Sequence, residues 1–539
     1  MKYQADVVIA GAGLAGLIAA YDLLTQGKKV LIFDKDKQEN SGGLAKLSFG
    51  GVTMIDTPYQ RRMGLQDSPE LCYRDWESFA QWSDGPEWHW PKKWAKFYCE
   101  NSIEYIYEPL DRKKIKFLPL VNWPERGMYQ PGNSLPRWHI TWGTGLEIIV
   151  KLLAALEAHP QRGNLQVYYD HEVSDITVQA GRVVGVEGKS MLDGSTYTAA
   201  APVTILATGG MCGGDLSVVR KHWFKEWGEA PKKMLNGAHI YGDAMLHFKA
   251  QKHGANLTHL DKQWHYAAGI HRPGNKRPDD GISIVPPRSA LWMDAHGRRV
   301  GPQPLVGNTD TRWVVEQICK LPGQYTWQIM NWKIAAKEMA ITGSDYMVAF
   351  RDKSYPLMFK HLLFGNHELV RKLTTENVED IVTADTLPEL VDGMQKRSLY
   401  GLKVDAAGME ADIQAYDAMI DRGPTYHNDD QLRRIANFRT YRGDKIRLSK
   451  FQKILDPKAG KLIAIREFVL ARKSLGGMQT DLHSRVLRPD GSVLEGLYAV
   501  GEAAGFGGGG IHGHGSLEGT FLGGCVLTAT VAARAIAKG

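Results

Sequence analysis

The chain's clearest chemistry lies in Gly11, Gly13 and Gly16. They stand between an apolar run, Val7–Ile9, and a segment of helical period, Leu17–Gln26, and Asp34 closes a second apolar run, Lys29–Phe33. In that setting each residue has a physical use. Gly11 permits a tight turn, Gly13 lets backbone approach a pyrophosphate, and Gly16 lets a helix pack on a strand; the helix N-terminus then offers N–H groups and a positive dipole end to the phosphates. Asp34 is placed to accept a ribose hydroxyl. The spacing predicts a dinucleotide site on a β-α-β unit without saying which dinucleotide. Two later stretches extend the same edge. Glu39 to Gly51 (ENSGGLAKLSFGG) is a small-residue loop in which Gly42, Gly43, Ser48 and Gly51 are candidates for contacts beyond the pyrophosphate. Pro202 to Gly210 reads as a buried strand ending in Thr208, Gly209 and Gly210, at the carboxyl edge of a parallel sheet, where open α/β folds bind ligands. Gly505, Gly507 and Gly510 repeat the glycine spacing, but no β-α-β unit or acid follows, so a second nucleotide site is not expected.

The elements that position these residues come in a telling order. At 539 residues the chain exceeds one core and predicts two or three domains or lobes. Between Pro58 and Trp142 lie eight tryptophans, which predict a helical insertion with its rings in a core. Gly143–Leu156 has helical spacing, and Leu165–Val173 and Arg182–Glu187 read as strands. From Tyr266 to Leu455 the α/β regularity is lost, as expected of an inserted lobe. Strands resume at Ile463–Leu475 and Gly496–Glu502, and a last helix, Leu517–Ala537, is expected to return to the first domain with its N-terminus toward the cofactor.

Composition narrows the function classes. No run of about 18 apolar residues occurs and the first residues lead into a strand, so neither a membrane span nor a cleavable signal is expected, and the location read from this is cytoplasmic. The five cysteines are scattered without CxxC spacing, which predicts reduced thiols and no metal site. A net charge of +7 with interleaved acids gives no support for nucleic-acid binding. Oligomeric state is not legible.

GAGLAG with Asp34, the SGGLAK loop, ILATGG, and the C-terminal block from GGMQTD to GHGSLEG together resemble the flavoprotein family of fumarate reductases, succinate dehydrogenase flavoprotein subunits and 3-ketosteroid dehydrogenases. The resemblance implies an α/β architecture: a Rossmann-like FAD-binding domain over 1–265 and 456–539, with an inserted α+β substrate-capping domain over 266–455. It implies FAD as cofactor, bound extended, with its ADP part at Gly11, Ala12, Gly13, Leu14, Ala15, Gly16, Asp34 and Lys35, and with Val173 in the cofactor-binding set. Glu502 would hold ribityl hydroxyls, and Ser516 and Leu517 at the start of the last helix would sit by flavin N1 and the C2 carbonyl. Reduced flavin is anionic, and a helix N-terminus stabilises such a charge by about 0.3 to 2 kcal/mol. Covalent attachment in the membrane-complex relatives is expected to need a histidine where this chain has Lys46 to Gly51; none is there, so FAD is expected to be non-covalent.

Departures from the family pattern point to the substrate. Where fumarate reductases resemble His-Gly-x-Asn-Arg-Leu-Gly-Gly, this chain has His512 to Gly519, and the carboxylate-clamping arginine has become Ser516. Serine offers no bidentate cation, so a dicarboxylate is disfavoured. Where 3-ketosteroid dehydrogenases resemble Tyr-Pro-Gly-x-Gly, the tyrosine position is Ile511 and the last glycine is Gly515; His512 is the natural replacement donor. Glu518, where relatives have glycine, has no explanation from sequence. The implied reaction removes two hydrogens from adjacent carbons beside a carbonyl of an apolar, steroid-like substrate, with hydride passing to flavin N5. His512 and the Gly515 N–H would stabilise the enolate, and Tyr129 (in GMYQPGNS) or Arg312 would exchange the proton, by local likeness to the steroid enzymes and the reductases respectively. The alternatives are an enoate reductase of the fumarate-reductase kind and a non-catalytic flavin-binding electron-transfer protein. The electron acceptor is unknown.

Overall fold

The computed structural model describes residues 1–274, 277, 279–307 and 309–538. They divide into two compact units: residues 1–224, 238–264 and 472–539 form the first, and residues 225–237 and 265–471 the second.

In the first unit, Val7–Ala10 is fully buried, as an unbroken apolar run must be when both faces of its sheet are covered. It pairs in parallel with Val30–Phe33 on one side and Val203–Leu206 on the other. Beyond these lie Leu165–Tyr168 and Val493–Ala499, also parallel, and an antiparallel edge strand, Arg485–Leu487. Four strands thus end at one edge and there hand over to Gly11, Asp34, Ala207-Thr208 and Gly501-Glu502. The helix Leu14–Thr25 follows the first turn, with nine of its twelve residues buried. The last helix, Thr520–Lys538, packs along it. Gly501 makes this possible, since a Cβ there would lie 3.0 Å from Ala15 Cβ and 3.2 Å from Cys525 Sγ. The two ends of the chain therefore meet in one core. The last helix is long and apolar enough to cross a membrane, but its apolar stretch is 72% buried, as a core helix is.

A four-stranded sheet in the order Lys2–Gln4, Thr196–Ala200, Arg182–Ser190, His171–Gln179 lies beside this core. Two sequence expectations shift. The single strand expected at Leu165–Val173 is two, because Asp170 turns the chain with φ 54°. The last helix begins at Thr520, not Leu517, because Gly519 sits at φ 96°.

The tryptophan-rich insertion is held by an ion cluster at Arg137, which is fully buried. Its guanidinium donates to both Asp67 oxygens at 2.8 Å, to Asp75, and to Asn133 Oδ1 at 3.1 Å. Trp76 and Trp94, on the helices Pro69–Ala80 and His89–Ser102, are fully buried.

The second unit is built on a sheet around Leu462–Ser474, which pairs antiparallel with Tyr325–Asn331 and with Ile381–Ala384. Those partners draw the strand into this unit as far as Ala471, although the sequence reading places it with the first. His271 Nδ1 lies 2.8 Å from Asp380, whose other oxygen accepts from Arg466 at 3.0 Å, so this histidine is tied into a buried network.

Candidate active site

At the carboxyl edge of the parallel sheet the three glycines of the turn do different things. A Cβ on Gly11, which has φ 107°, would lie 2.5 Å from Ala207 O, and one on Gly16 would lie 2.0 Å from Gly11 O. Both are needed for packing. A Cβ on Gly13 would meet nothing within 4 Å, and the same is true of Gly209. Gly13 N-caps Leu14–Thr25, which has no side-chain cap and no acid in its first turn, so the first N–H groups, at Leu14, Ala15 and Gly16, are left for an anion. Asp34 accepts from the N–H of Ala12 and, at 2.8 Å, from that of Asp36, which fixes the turn. Burial raises its pKa, and those two N–H groups oppose the rise.

The loop after the second strand docks on this turn: Gly42 N–H donates to Ala12 O at 2.9 Å, and Gly43 faces the Cα of Gly13. Ser48 and Gly51 are engaged elsewhere. Ser48 Oγ donates to Ala45 O at 2.7 Å, and a Cβ on Gly51 would overlap the Trp138 indole at 1.8 Å, so Gly51 is there for packing. Lys35 pairs with Glu172 at 2.7 Å, and the Val173 side chain lies in the hydrophobic core. Further along the edge, Glu502 Oε1 accepts from the N–H of Ser474 at 2.9 Å and from its Oγ at 3.2 Å. Gly210 leaves room for that carboxylate, since a Cβ would lie 2.1 Å from it. Thr208 Oγ1 is buried without a hydrogen-bond partner. Open backbone at Gly13 and Gly209, an uncapped helix end and an orphaned hydroxyl fit an extended FAD.

A second cluster surrounds the start of the last helix. The run Gly507–Gly510 adopts positive φ throughout and wraps the tryptophan-rich insertion; a Cβ on Gly507 would lie 2.9 Å from the Trp94 ring. It is a packing loop, as the missing β-α-β unit implies. Trp76 Nε1 donates to Ile511 O at 3.1 Å and fixes the next residue, His512, whose ring stacks on Trp76 at 5.4 Å and 6°. Phe506 and Phe521 complete the walls at 5.3 and 4.9 Å. Burial, then the neighbouring Lys473, hold the His512 pKa well below the ordinary imidazole value, so His512 is neutral. Its Nδ1 lies 3.4 Å from Ser516 Oγ, and its Nε2 has no partner.

Two features differ from expectation. The Gly515 N–H donates to His512 O at 3.2 Å, closing a turn, so it does not stand ready as an oxyanion donor. Ser516 is fully buried, and its hydroxyl is turned toward Thr520 Oγ1 at 2.9 Å and Leu517 O at 3.2 Å, four residues before the helix begins at Thr520. Tyr129 is 55% exposed. Arg312, in the second unit on the helix Thr311–Lys320, has its guanidinium 6.0 Å from the Trp227 ring, and burial lowers its pKa.

Sequence reasoning missed Lys473. Its Nζ lies 4.0 Å from the centre of the Phe521 ring, the same ring that faces His512, and Trp264 packs on that ring at 6.2 Å. Burial pulls the Lys473 pKa down to about 8, and Glu518 is the anion that most opposes this. Glu518, unexplained in the sequence, is thus the acid that most favours the charged form of Lys473. Only the pair Arg472-Lys473 directly after the apolar run Phe468–Ala471 could have signalled it.

A family model described as an FAD binding domain matches residues 6–522. A KsdD-like steroid dehydrogenase of Mycobacterium tuberculosis is 38% identical over 552 residues, covering 99% of this chain and 96% of the relative. Among solved structures, 3-ketosteroid delta1-dehydrogenase from Sterolibacterium denitrificans aligns with TM-score 0.71 at 16% identity, over 99% of this chain and 100% of that one. The open form of a flavocytochrome c3 fumarate reductase aligns with TM-score 0.70 at 20% identity, over 99% of this chain and 78% of that one. At such identities the two structures carry the fold and do not choose between dehydrogenase and reductase. The chain belongs to the FAD-binding domain family and is an FAD-dependent oxidoreductase.

Proposed function

We propose that the protein dehydrogenates an apolar cyclic ketone, of 3-ketosteroid type, at adjacent carbons beside the carbonyl. The observation that carries this reading is the wall around the start of the last helix: Trp76, Phe506, Phe521 and Trp264 with one ammonium, Lys473, laid on it, and serine at 516 where a carboxylate clamp would need arginine. The full-length likeness to a relative named a steroid dehydrogenase supports it. FAD when bound supplies the acceptor for the hydride. Gly13, Leu14 to Gly16 and Asp34 would hold its ADP part, and Thr208, Gly209 and Glu502 the stretch beyond. Residues 266–455 are assigned the substrate-capping role.

The chain's own part in the chemistry is to make an α-proton removable. A donor aimed at a developing enolate oxygen contributes about 3 to 4 kcal/mol. Lys473 takes that role, in place of the Gly515 N–H, and the His512 Nε2 N–H is the second donor. Tyr129 and Arg312 are the residues proposed to exchange the proton with substrate; Tyr129→Phe, which removes only the O–H, tests the first. The reaction class is tested anaerobically. The yellow FAD-loaded protein should be bleached by a 3-ketosteroid. If ketones leave it yellow while an enoate reoxidises the dithionite-reduced protein, the enzyme is a reductase and the proposal fails.

A further inference from the structure

The second unit carries a helix that water alone does not explain. Tyr355–Phe364 (YPLMFKHLLF) is apolar at eight of its ten positions, and none of the ten is buried. Phe359 is 56% exposed, Leu363 72% and Phe364 73%. Residues four apart share a helix face, so Phe359 and Leu363 stand in line, with Phe364 beside them. With only Lys360 and His361 polar, a helix of this composition is ordinarily buried in a core or in lipid.

The helix is nonetheless well made. Ser354 Oγ accepts the Leu357 N–H at 3.3 Å, Gly365 at φ 90° closes the other end by donating to His361 O at 2.9 Å, and Lys337 Nζ donates to Leu362 O at 2.6 Å. It is held in place with its apolar side outward.

The charge around it selects the partner. Residues 345–376 contain Arg351, Lys353, Lys360, Arg371 and Lys372 against Asp345, Asp352, Glu368 and Glu376, and Lys337 lies against the helix at Leu362 O, so six positive less four negative leaves +2, with Arg351 paired to Asp352 at 2.7 Å and Lys360 to Glu368 at 3.3 Å. A second copy docked about a two-fold axis would set this basic rim against itself. An anionic bilayer surface meets both features at once, since apolar side chains enter the boundary of head groups and acyl chains while Lys and Arg stay at the head groups.

We propose that Tyr355–Phe364 is a membrane-surface docking helix, seating the protein on anionic lipid through Phe359, Leu363 and Phe364. Together with the proposed function, on which this last clause rests, the docking would bring the enzyme to an apolar substrate dissolved in the bilayer.

The test is flotation of the FAD-loaded protein with vesicles of phosphatidylcholine, with and without phosphatidylglycerol, and with no steroid present, so that its outcome is independent of the reaction. Wild-type protein should float with the phosphatidylglycerol vesicles and lose them at high salt. The triple variant Phe359→Ser, Leu363→Ser, Phe364→Ser should bind at least about tenfold less while keeping its FAD and its turnover of dissolved steroid. Three results would overturn the proposal: wild type failing to float, the variant floating equally well, or a dimer that the variant abolishes in sedimentation while vesicles capture neither protein.

Discussion

His512 and Lys473 divide what a sequence reader would assign to one residue. His512 is neutral because burial disfavours its cation, so no acidic limb from its titration is expected in the rate of flavin reduction at ordinary pH. Burial lowers the Lys473 pKa to about 8, and in the proposed reaction its ammonium is the active form. The rate is therefore full below that value and falls as pH rises through it; Lys473→Met should flatten this limb and slow flavin reduction about 100-fold, as read by anaerobic rapid mixing. His512→Phe keeps an aromatic ring against Trp76 and removes both ring nitrogens, the unpartnered Nε2 among them, so it should slow reduction about tenfold or more with FAD still bound. An unchanged rate would make His512 a packing residue. His512 was legible because a histidine among glycines advertises itself. Lys473 was not, since beside Arg472 it reads as the polar end of a strand, and its meaning comes from Phe521 and Glu518, nearly fifty residues away.

At the scale of the β-α-β turn, two glycines that look alike in the sequence should fail differently. Gly16→Val drives a side chain into the Gly11 carbonyl and should destabilise folding by several kcal/mol, on the order of a severe core clash. At Gly13 a Cβ meets no protein atom within 4 Å, so Gly13→Val should fold with wild-type circular dichroism and yet bind FAD at least about 100-fold more weakly, by titration of the apoprotein. The strand ends that carry Gly11, Asp34, Thr208 and Glu502 were legible because apolar runs and punctuating glycines are local signals. The start of the last helix was misplaced by three residues because helical composition continues through Leu517 while Gly519 turns the backbone. The partners of the strand Leu462–Ser474, Tyr325–Asn331 and Ile381–Ala384, are remote in sequence, so no local signal reveals that pairing.

Across the whole molecule, the cofactor and the fold should be thermodynamically linked, because the first unit takes its core from both ends of the chain. FAD at about a hundred times its Kd should raise stability by about 2.7 kcal/mol, seen as a shift in thermal unfolding, and Gly13→Val should abolish that shift. The Arg137 cluster should matter to stability as well: Arg137→Ala leaves Asp67 and Asp75 buried without their cation and should cost about 3 to 5 kcal/mol by denaturant unfolding. The central claim is that an ammonium on an aromatic wall activates an apolar ketone in the FAD-loaded protein. Its most direct test is the anaerobic rate of flavin bleaching by a 3-ketosteroid in wild type and Lys473→Met across pH. The account predicts rapid bleaching that fades above about pH 8 in wild type and a slow, pH-independent rate in the variant. Equal rates with the same alkaline limb in both proteins, or no bleaching of either, would contradict it.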